Sequence, residues 1–136
     1  MSKNLSTDSM VSKGLLIIRI GLGIMFMLHG APKIFGGHDV WTKVGRAVSK
    51  VGIHNYFAFW GFMAGLTEFG GGLLLMLGLF QRIVCIFLVI VMLVATLKHY
   101  ASGDGFKGYS HPLEVAIVFL GLLFTGPGKY SFSIVL

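Results

Sequence analysis

Four long apolar segments constrain the fold of this 136-residue chain more than any other feature. They cover about 14–35, 56–79, 83–100 and 112–125. The first would extend about 33 Å as a helix, and the hydrocarbon core of a bilayer is ~30 Å thick. Because lipid offers no hydrogen-bonding partners, the backbone of such segments must be helical. The sequence therefore predicts an all-α membrane protein, a bundle of four transmembrane helices.

The composition supports a membrane environment. Hydrophobic residues make up 55% of the chain and charged residues only 12%, whereas soluble domains carry about 25% charged residues. The net charge is +6, but the basic residues are scattered over connections and helix ends. Membrane lipid is therefore the expected partner, and nucleic acid is not. A single cysteine, Cys85, excludes an intrachain disulfide.

The polar segments divide the chain into a tail and one domain. Residues 1–13 predict a polar N-terminal tail, and 14–136 predict a single four-helix transmembrane domain. Arg19 interrupts the first apolar run and no Ala-x-Ala sequence follows it, so this run is predicted to be a span rather than a cleaved signal peptide.

The connection after the first span has a helical pattern of its own. Apolar residues recur there at helical spacing, and basic residues lie largely elsewhere on the helical wheel. The apolar set is Trp41, Val44, Val48 and Val51. This pattern is typical of a short interfacial amphipathic helix on the membrane surface, with an irregular loop as the alternative.

Glu68 is an acidic residue within the second apolar segment. Three glycines, Gly61, Gly65 and Gly72, share its helix face. Together with Glu68 they follow the spacing i, i+4, i+7 and i+11. Small residues let a neighbouring helix approach closely, so Glu68 is predicted to face protein rather than lipid. A buried carboxylate here could carry protons or bind a polar substrate. The alternative is a structural ion pair with Arg19.

The first span carries three residues that could act opposite Glu68. Arg19 and Lys33 share one side of the helix, and His29 lies one turn before Lys33. An inward-facing basic stripe would neutralise Glu68 or bind an anionic or carbonyl-bearing ligand. A snorkelling arginine at the membrane edge is the alternative for Arg19.

Glu114 and the histidines are weaker candidates. If His111 is the N-cap of the fourth helix, Glu114 occupies position N3, where the helix dipole stabilises a carboxylate without any function. His29, His99 and His111 lie near helix ends, and one of them is expected to handle protons beside Glu68. A haem between two histidines is disfavoured because no spacing pairs them, and no metal site is predicted.

Several short motifs resemble the DoxX family of small bacterial membrane proteins. They are Arg19-x-Gly21, Gly30-x-x-Lys33, the block from Glu68 to Leu73, Leu77-Gly78-Leu79 with Arg82, and Gly126-Pro127-Gly128-Lys129-Tyr130-Ser131. The resemblance runs from about Gly14 to Ser133. In the family the last motif commonly continues Ser-Leu-Asp, whereas this chain has Ser131-Phe132-Ser133.

The resemblance implies a multi-pass protein of the inner membrane. Some relatives are subunits of thiosulfate:quinone oxidoreductase, and others join redox assemblies, so quinone is the expected cofactor and redox proteins are expected partners. The predicted proton-handling residues are Glu68 and His29. The predicted quinone contacts are Arg19, Lys33, His99 and Glu114.

Two other functions stay open at this point, as does whether the chain is itself an enzyme. One is a non-enzymatic membrane anchor or assembly partner of a redox complex. The other is a small proton-coupled transporter, for which four helices are few, so that a homo-oligomer would be expected.

Overall fold

The computed structural model describes residues 5–132, with side chains described from Thr7 onward, and every regular element in this range is helical. The elements are α1 (Leu5–Phe35), α2 (His38–Gly45), a 3₁₀ helix (Arg46–Val51), α3 (Phe57–Leu77), α4 (Gln81–Ala101) and α5 (Gly105–Thr125). Four of them, α1 and α3 to α5, are long and apolar enough to cross a membrane. The predicted all-α membrane fold is confirmed. Ser133 lies outside the described residues.

Two helices, α1 and α5, begin at least seven residues before the positions that the sequence indicates. α1 starts at Leu5, so most of the predicted tail is helical, and Ser12 is buried where its hydroxyl accepts the backbone N–H of Lys129 at 3.4 Å. α5 starts at Gly105 rather than near Pro112. The low helix propensity of glycine and proline suggested a loop there, but α5 packs against α4, and tertiary packing outweighs propensity.

α1 and α3 are antiparallel and pack closely through facing glycines. A Cβ atom on Gly23 would lie 2.6 Å from the carbonyl oxygen of Gly72, and one on Gly72 would lie 2.6 Å from that of Gly23. Two turns away, a Cβ on Gly30 would lie 2.8 Å from the carbonyl oxygen of Gly65. Only glycine at these positions lets the two backbones touch, and this contact sets the register of α1 against α3.

The connection between α1 and α3 contains a short helix, α2, which packs on α3. A Cβ atom on Gly61 would overlap the carbonyl group of Trp41, and one on Gly45 would overlap that of Phe57. The Trp41 indole N–H donates to the carbonyl oxygen of Ile34 at 3.2 Å, which ties α2 back to α1. Gly61 thus accommodates α2, whereas Gly65 and Gly72 accommodate α1.

The interior is small and the apolar exterior is large. Buried apolar side chains come from all four long helices, and the Phe26 ring of α1 meets the Phe119 ring of α5 edge to face, with centroids 4.9 Å apart. The buried set is Phe26, Leu75, Val84, Cys85, Leu88, Met92, Ala116, Phe119 and Leu122. Large apolar side chains are also exposed along α1, α3, α4 and α5, as expected where lipid covers the helices.

The glycine contact between α1 and α3 predicts unequal effects of two alanine substitutions. Gly72→Ala places a methyl group against the backbone of α1, which cannot yield as a side chain can, so it should destabilise the protein by about 1–3 kcal/mol. Gly70→Ala is the matched control, because a Cβ atom there meets nothing within 4 Å. Thermal unfolding in mild detergent measures both. Equal melting temperatures for the two variants would contradict the packing described.

Candidate functional site

Glu68 forms an ion pair with Lys33. The Lys33 ammonium donates to both carboxylate oxygens, with Nζ lying 2.7 Å from Oε1 and 2.7 Å from Oε2. The Glu68 side chain is only 3% exposed, and that of Lys33 is 31% exposed. The pair lies beside the Gly30–Gly65 contact, so the close approach of α1 and α3 brings the two charges together.

Arg19 does not pair with Glu68, and that alternative is wrong. Because α1 and α3 are antiparallel, residues near the end of α1 face residues in the first half of α3. Arg19 precedes Lys33 by fourteen residues, which is about 21 Å along a helix. It therefore lies beside the far end of α3, where a Cβ atom on Gly78 would be 3.0 Å from its Nη1 atom.

Arg19 instead holds the segment that follows α5, residues 126–132, termed here the C-terminal segment. Its Nη1 donates to the carbonyl oxygen of Pro127 at 2.5 Å, and its Nη2 donates to that of Tyr130 at 2.8 Å. The backbone N–H of Phe132 also donates to the carbonyl oxygen of Leu77 at 3.1 Å. Three motifs that are distant in the sequence, around Arg19, Gly78 and Pro127, therefore form one structural cluster.

A cavity of about 510 Å³ lies between the 3₁₀ helix, α3 and α4, with α2 at one side. Most of its lining is apolar and includes Val48, Trp60, Met63, Phe87, Val94 and Ala95. Lys33 and Glu68 also line it, together with Lys98 and His99 from the last turn of α4. The cavity thus combines apolar walls with an ion pair, a second ammonium group and an imidazole.

His99 is oriented by a residue that sequence reasoning missed. Its Nδ1 lies 2.7 Å from Oδ2 of Asp104, in the turn between α4 and α5. When the imidazole is neutral and donates from Nδ1 to the carboxylate, Nε2 is the acceptor nitrogen. In the sequence, Asp104 follows His99 by five residues, across the end of α4. That spacing was the signal from which this contact could have been predicted.

The structure does not bring His29 or Glu114 to the cavity. His29 is exposed on α1, with its ring edge to face against Phe26 at a centroid distance of 6.1 Å. Glu114 is exposed on α5, and the N3 position predicted for it is wrong, because α5 begins at Gly105. The sequence predicted six residues as proton-handling groups or quinone contacts. Three of them, Lys33, Glu68 and His99, line the cavity.

These features define a class of protein, a multi-pass helical membrane protein with an ion pair buried between its first and second long helices, α1 and α3. The DoxX family model matches residues 14–101, and the chain belongs to that family. It is 32% identical to "Inner membrane protein YqjF" of Escherichia coli (strain K12) over 124 residues, which cover 87% of this chain and 88% of that protein. No solved structure matches the chain significantly. The predicted family and the inner-membrane location are confirmed.

The Lys33–Glu68 pair predicts strongly non-additive effects on stability. Lys33→Met leaves the Glu68 carboxylate buried without a partner, which should cost about 3 kcal/mol, the lower end for a buried pair because Lys33 is partly exposed. In the double variant Lys33→Met/Glu68→Met no unpaired charge remains, so much of the loss should be recovered, with a coupling energy of about 2 kcal/mol. Denaturant unfolding in mild detergent measures the cycle.

The exposed Lys107 supplies the matched control for that cycle. Lys107→Met removes an ammonium group that forms no ion pair within the described part of the chain, and its effect should be below about 0.5 kcal/mol. Strictly additive effects of the Lys33 and Glu68 substitutions would contradict a coupled pair.

Proposed function

We propose that the protein is a quinone-linked subunit of a redox assembly in the inner membrane, and that the cavity between the 3₁₀ helix, α3 and α4 receives the quinone ring. The observation that carries this proposal is the composition of the cavity, in which apolar walls surround hydrogen-bond donors and a buried carboxylate. A quinone needs both, because its ring and tail are apolar and its two carbonyl oxygens accept hydrogen bonds.

The size of the cavity supports a small-molecule ligand. Ligand pockets in proteins have volumes of about 300–1,000 Å³, and this one has about 510 Å³. Phe87 and Trp60 offer flat aromatic surfaces, and Val48 and Val94 offer aliphatic ones. The cavity borders helices whose outer faces are apolar and exposed, so a ligand dissolved in the membrane could enter from the lipid.

The polar residues of the cavity suit a ligand that gains and loses protons. The Lys33 ammonium donates hydrogen bonds to Glu68. It would also donate one to a carbonyl oxygen of the quinone. The Glu68 carboxylate can accept a proton, and the imidazole of His99 can both donate and accept one. Quinone reduction takes two protons and two electrons, and we assign the electrons to a redox partner protein.

His99 and Asp104 supply a route for protons between the cavity and water. His99 lines the cavity, and its partner Asp104 is exposed beyond the end of α4. An imidazole that donates from one nitrogen and accepts at the other can pass a proton across its ring. In this proposal His99 takes the proton-handling role that the sequence assigned to His29.

Tryptophan fluorescence provides a test of quinone binding. The chain has two tryptophans, and Trp60 lines the cavity, so the variant Trp41→Phe leaves one reporter at the site. Added short-chain ubiquinone or menaquinone analogues should quench Trp60 fluorescence saturably. Ala95→Phe fills the cavity and should weaken the apparent affinity by at least about tenfold, or 1.4 kcal/mol.

Leu97→Phe is the matched control for the cavity-filling variant. Leu97 lies on the same helix but is 44% exposed and outside the cavity, so its substitution should leave quenching unchanged. Quenching that rises linearly without saturation, or equal affinities of the two variants, would reject the proposed quinone site.

A second candidate function is a non-enzymatic anchor of a redox complex. The observation that favours it is the position of the Lys33–Glu68 pair, which bridges α1 and α3 as structural ion pairs do. Under this alternative Glu68→Gln would lower the melting temperature, and the partner assembly would keep its activity in membranes where the variant is present. Loss of activity with an unchanged melting temperature would exclude it.

A further inference from the structure

A second cavity lies at the opposite end of the α1–α3 pair. It has a volume of about 520 Å³, is open to the surface, and is lined by α1, the end of α3 and the C-terminal segment. Its lining includes Leu16, Arg19, Ile20, Met76, Leu77 and Lys129. The cavity shares no lining residue with the proposed quinone cavity, so the two sites can be tested separately.

Arg19 places a buried positive charge at this cavity. The residue is 1% exposed, and its guanidinium is permanently charged. Its hydrogen-bond acceptors are the neutral carbonyl groups of Pro127 and Tyr130, and its Nε has no partner. No carboxylate among the described residues forms an ion pair with it, since the pairs found there are Lys33–Glu68 and His99–Asp104. Burying a charge without a counter-charge costs free energy, so an anion bound nearby would stabilise Arg19.

Neighbouring lysines extend the positive region to the surface. Lys129 lines the cavity and is exposed, with its Nζ 5.3 Å from the centroid of the Tyr130 ring. The pKa of the Tyr130 phenol is lowered, first by its hydrogen bond with Ser9 and then by the charges of Lys129 and Lys13. Lys13 and Lys129 thus place two positive charges near the Tyr130 ring at this end of the molecule.

The remaining walls favour an amphiphilic ligand. Leu16 and Ile20 of α1 and Met76 and Leu77 of α3 form an apolar side next to the cationic residues. The cavity also lies beside the last residues of α3 and just beyond the end of α5. Because transmembrane helices end near the membrane surface, this position is close to the lipid headgroups. An acyl chain could follow the apolar side while its headgroup lies near Lys129.

We propose that this cavity binds an anionic phosphate group, with Lys129 contacting the phosphate oxygens and Arg19 holding the anion through its buried charge. The group belongs either to an anionic phospholipid or to free phosphate, and both sources present the same oxygens to the protein. Each Lys or Arg near an anionic lipid surface contributes about 1 kcal/mol.

Native mass spectrometry from mild detergent tests the phosphate site. Purified protein is incubated with phosphatidylglycerol or with phosphatidylcholine of the same acyl chains, and the retained lipid is counted. Phosphatidylglycerol should be retained preferentially, and Lys129→Gln should reduce its retention about fivefold, as loss of ~1 kcal/mol implies. Lys129 is the residue to change, because Arg19 also holds the C-terminal segment and its loss would disturb the fold.

Arg82→Gln is the matched control. Arg82 is exposed in the first turn of α4, which starts beside the end of α3, and it does not line the cavity. Its substitution removes the same charge from the same end of the molecule and should leave retention unchanged. Equal losses in the two variants would indicate diffuse attraction to the lipid surface and would overturn the proposed site.

Free phosphate is tested on delipidated protein. If millimolar inorganic phosphate raises the melting temperature of the unmodified protein and of Arg82→Gln but not of Lys129→Gln, the site binds phosphate from solution. If phosphatidylglycerol alone has this selective effect, the source is lipid. No selective effect of either ligand would overturn the proposal, whatever the outcome of the quinone experiments.

Discussion

The close approach of α1 and α3 is the contact on which the rest of the structure depends. Lipid provides no hydrophobic driving force between helices, so the packing of backbones at Gly23–Gly72 and Gly30–Gly65 supplies stability directly. The same contact sets the antiparallel register. That register places Lys33 beside Glu68 at one end, and it leaves Arg19 at the other end beside the C-terminal segment.

The two ends of this helix pair differ in electrostatic character. A charged side chain at membrane depth costs about 2.5–3.5 kcal/mol on insertion scales. At one end Lys33 offsets the charge of Glu68, and Lys98 and His99 add further hydrogen-bonding groups beside this neutral pair. At the other end the hydrogen-bond acceptors of Arg19 within residues 5–132 are neutral carbonyl groups, so its charge has no carboxylate partner there. The first suits a carbonyl-bearing ligand and the second an anion, which is why we propose different ligands for the two cavities.

Membership of the DoxX family and the inner-membrane location are established by the comparisons and the fold. The proposed quinone-linked role rests on the cavity between the 3₁₀ helix, α3 and α4. Its polar groups come from Glu68 within α3 and from the last turns of two other helices, α1 with Lys33 and α4 with His99. Asp104 then completes the site from the following turn, because α5 begins soon after α4 ends.

The sequence by itself determined the four apolar helices, the membrane environment and the inward direction of Glu68, because each follows from hydropathy or from glycine spacing within one helix. It could not determine which cation Glu68 meets, since that depends on the register between two helices. Nor could it show that His29 and Glu114 lie outside the cavity, or that α5 begins at Gly105. Tertiary packing decided these points, because helix rotation and helix ends follow from contacts between segments that are distant in the chain.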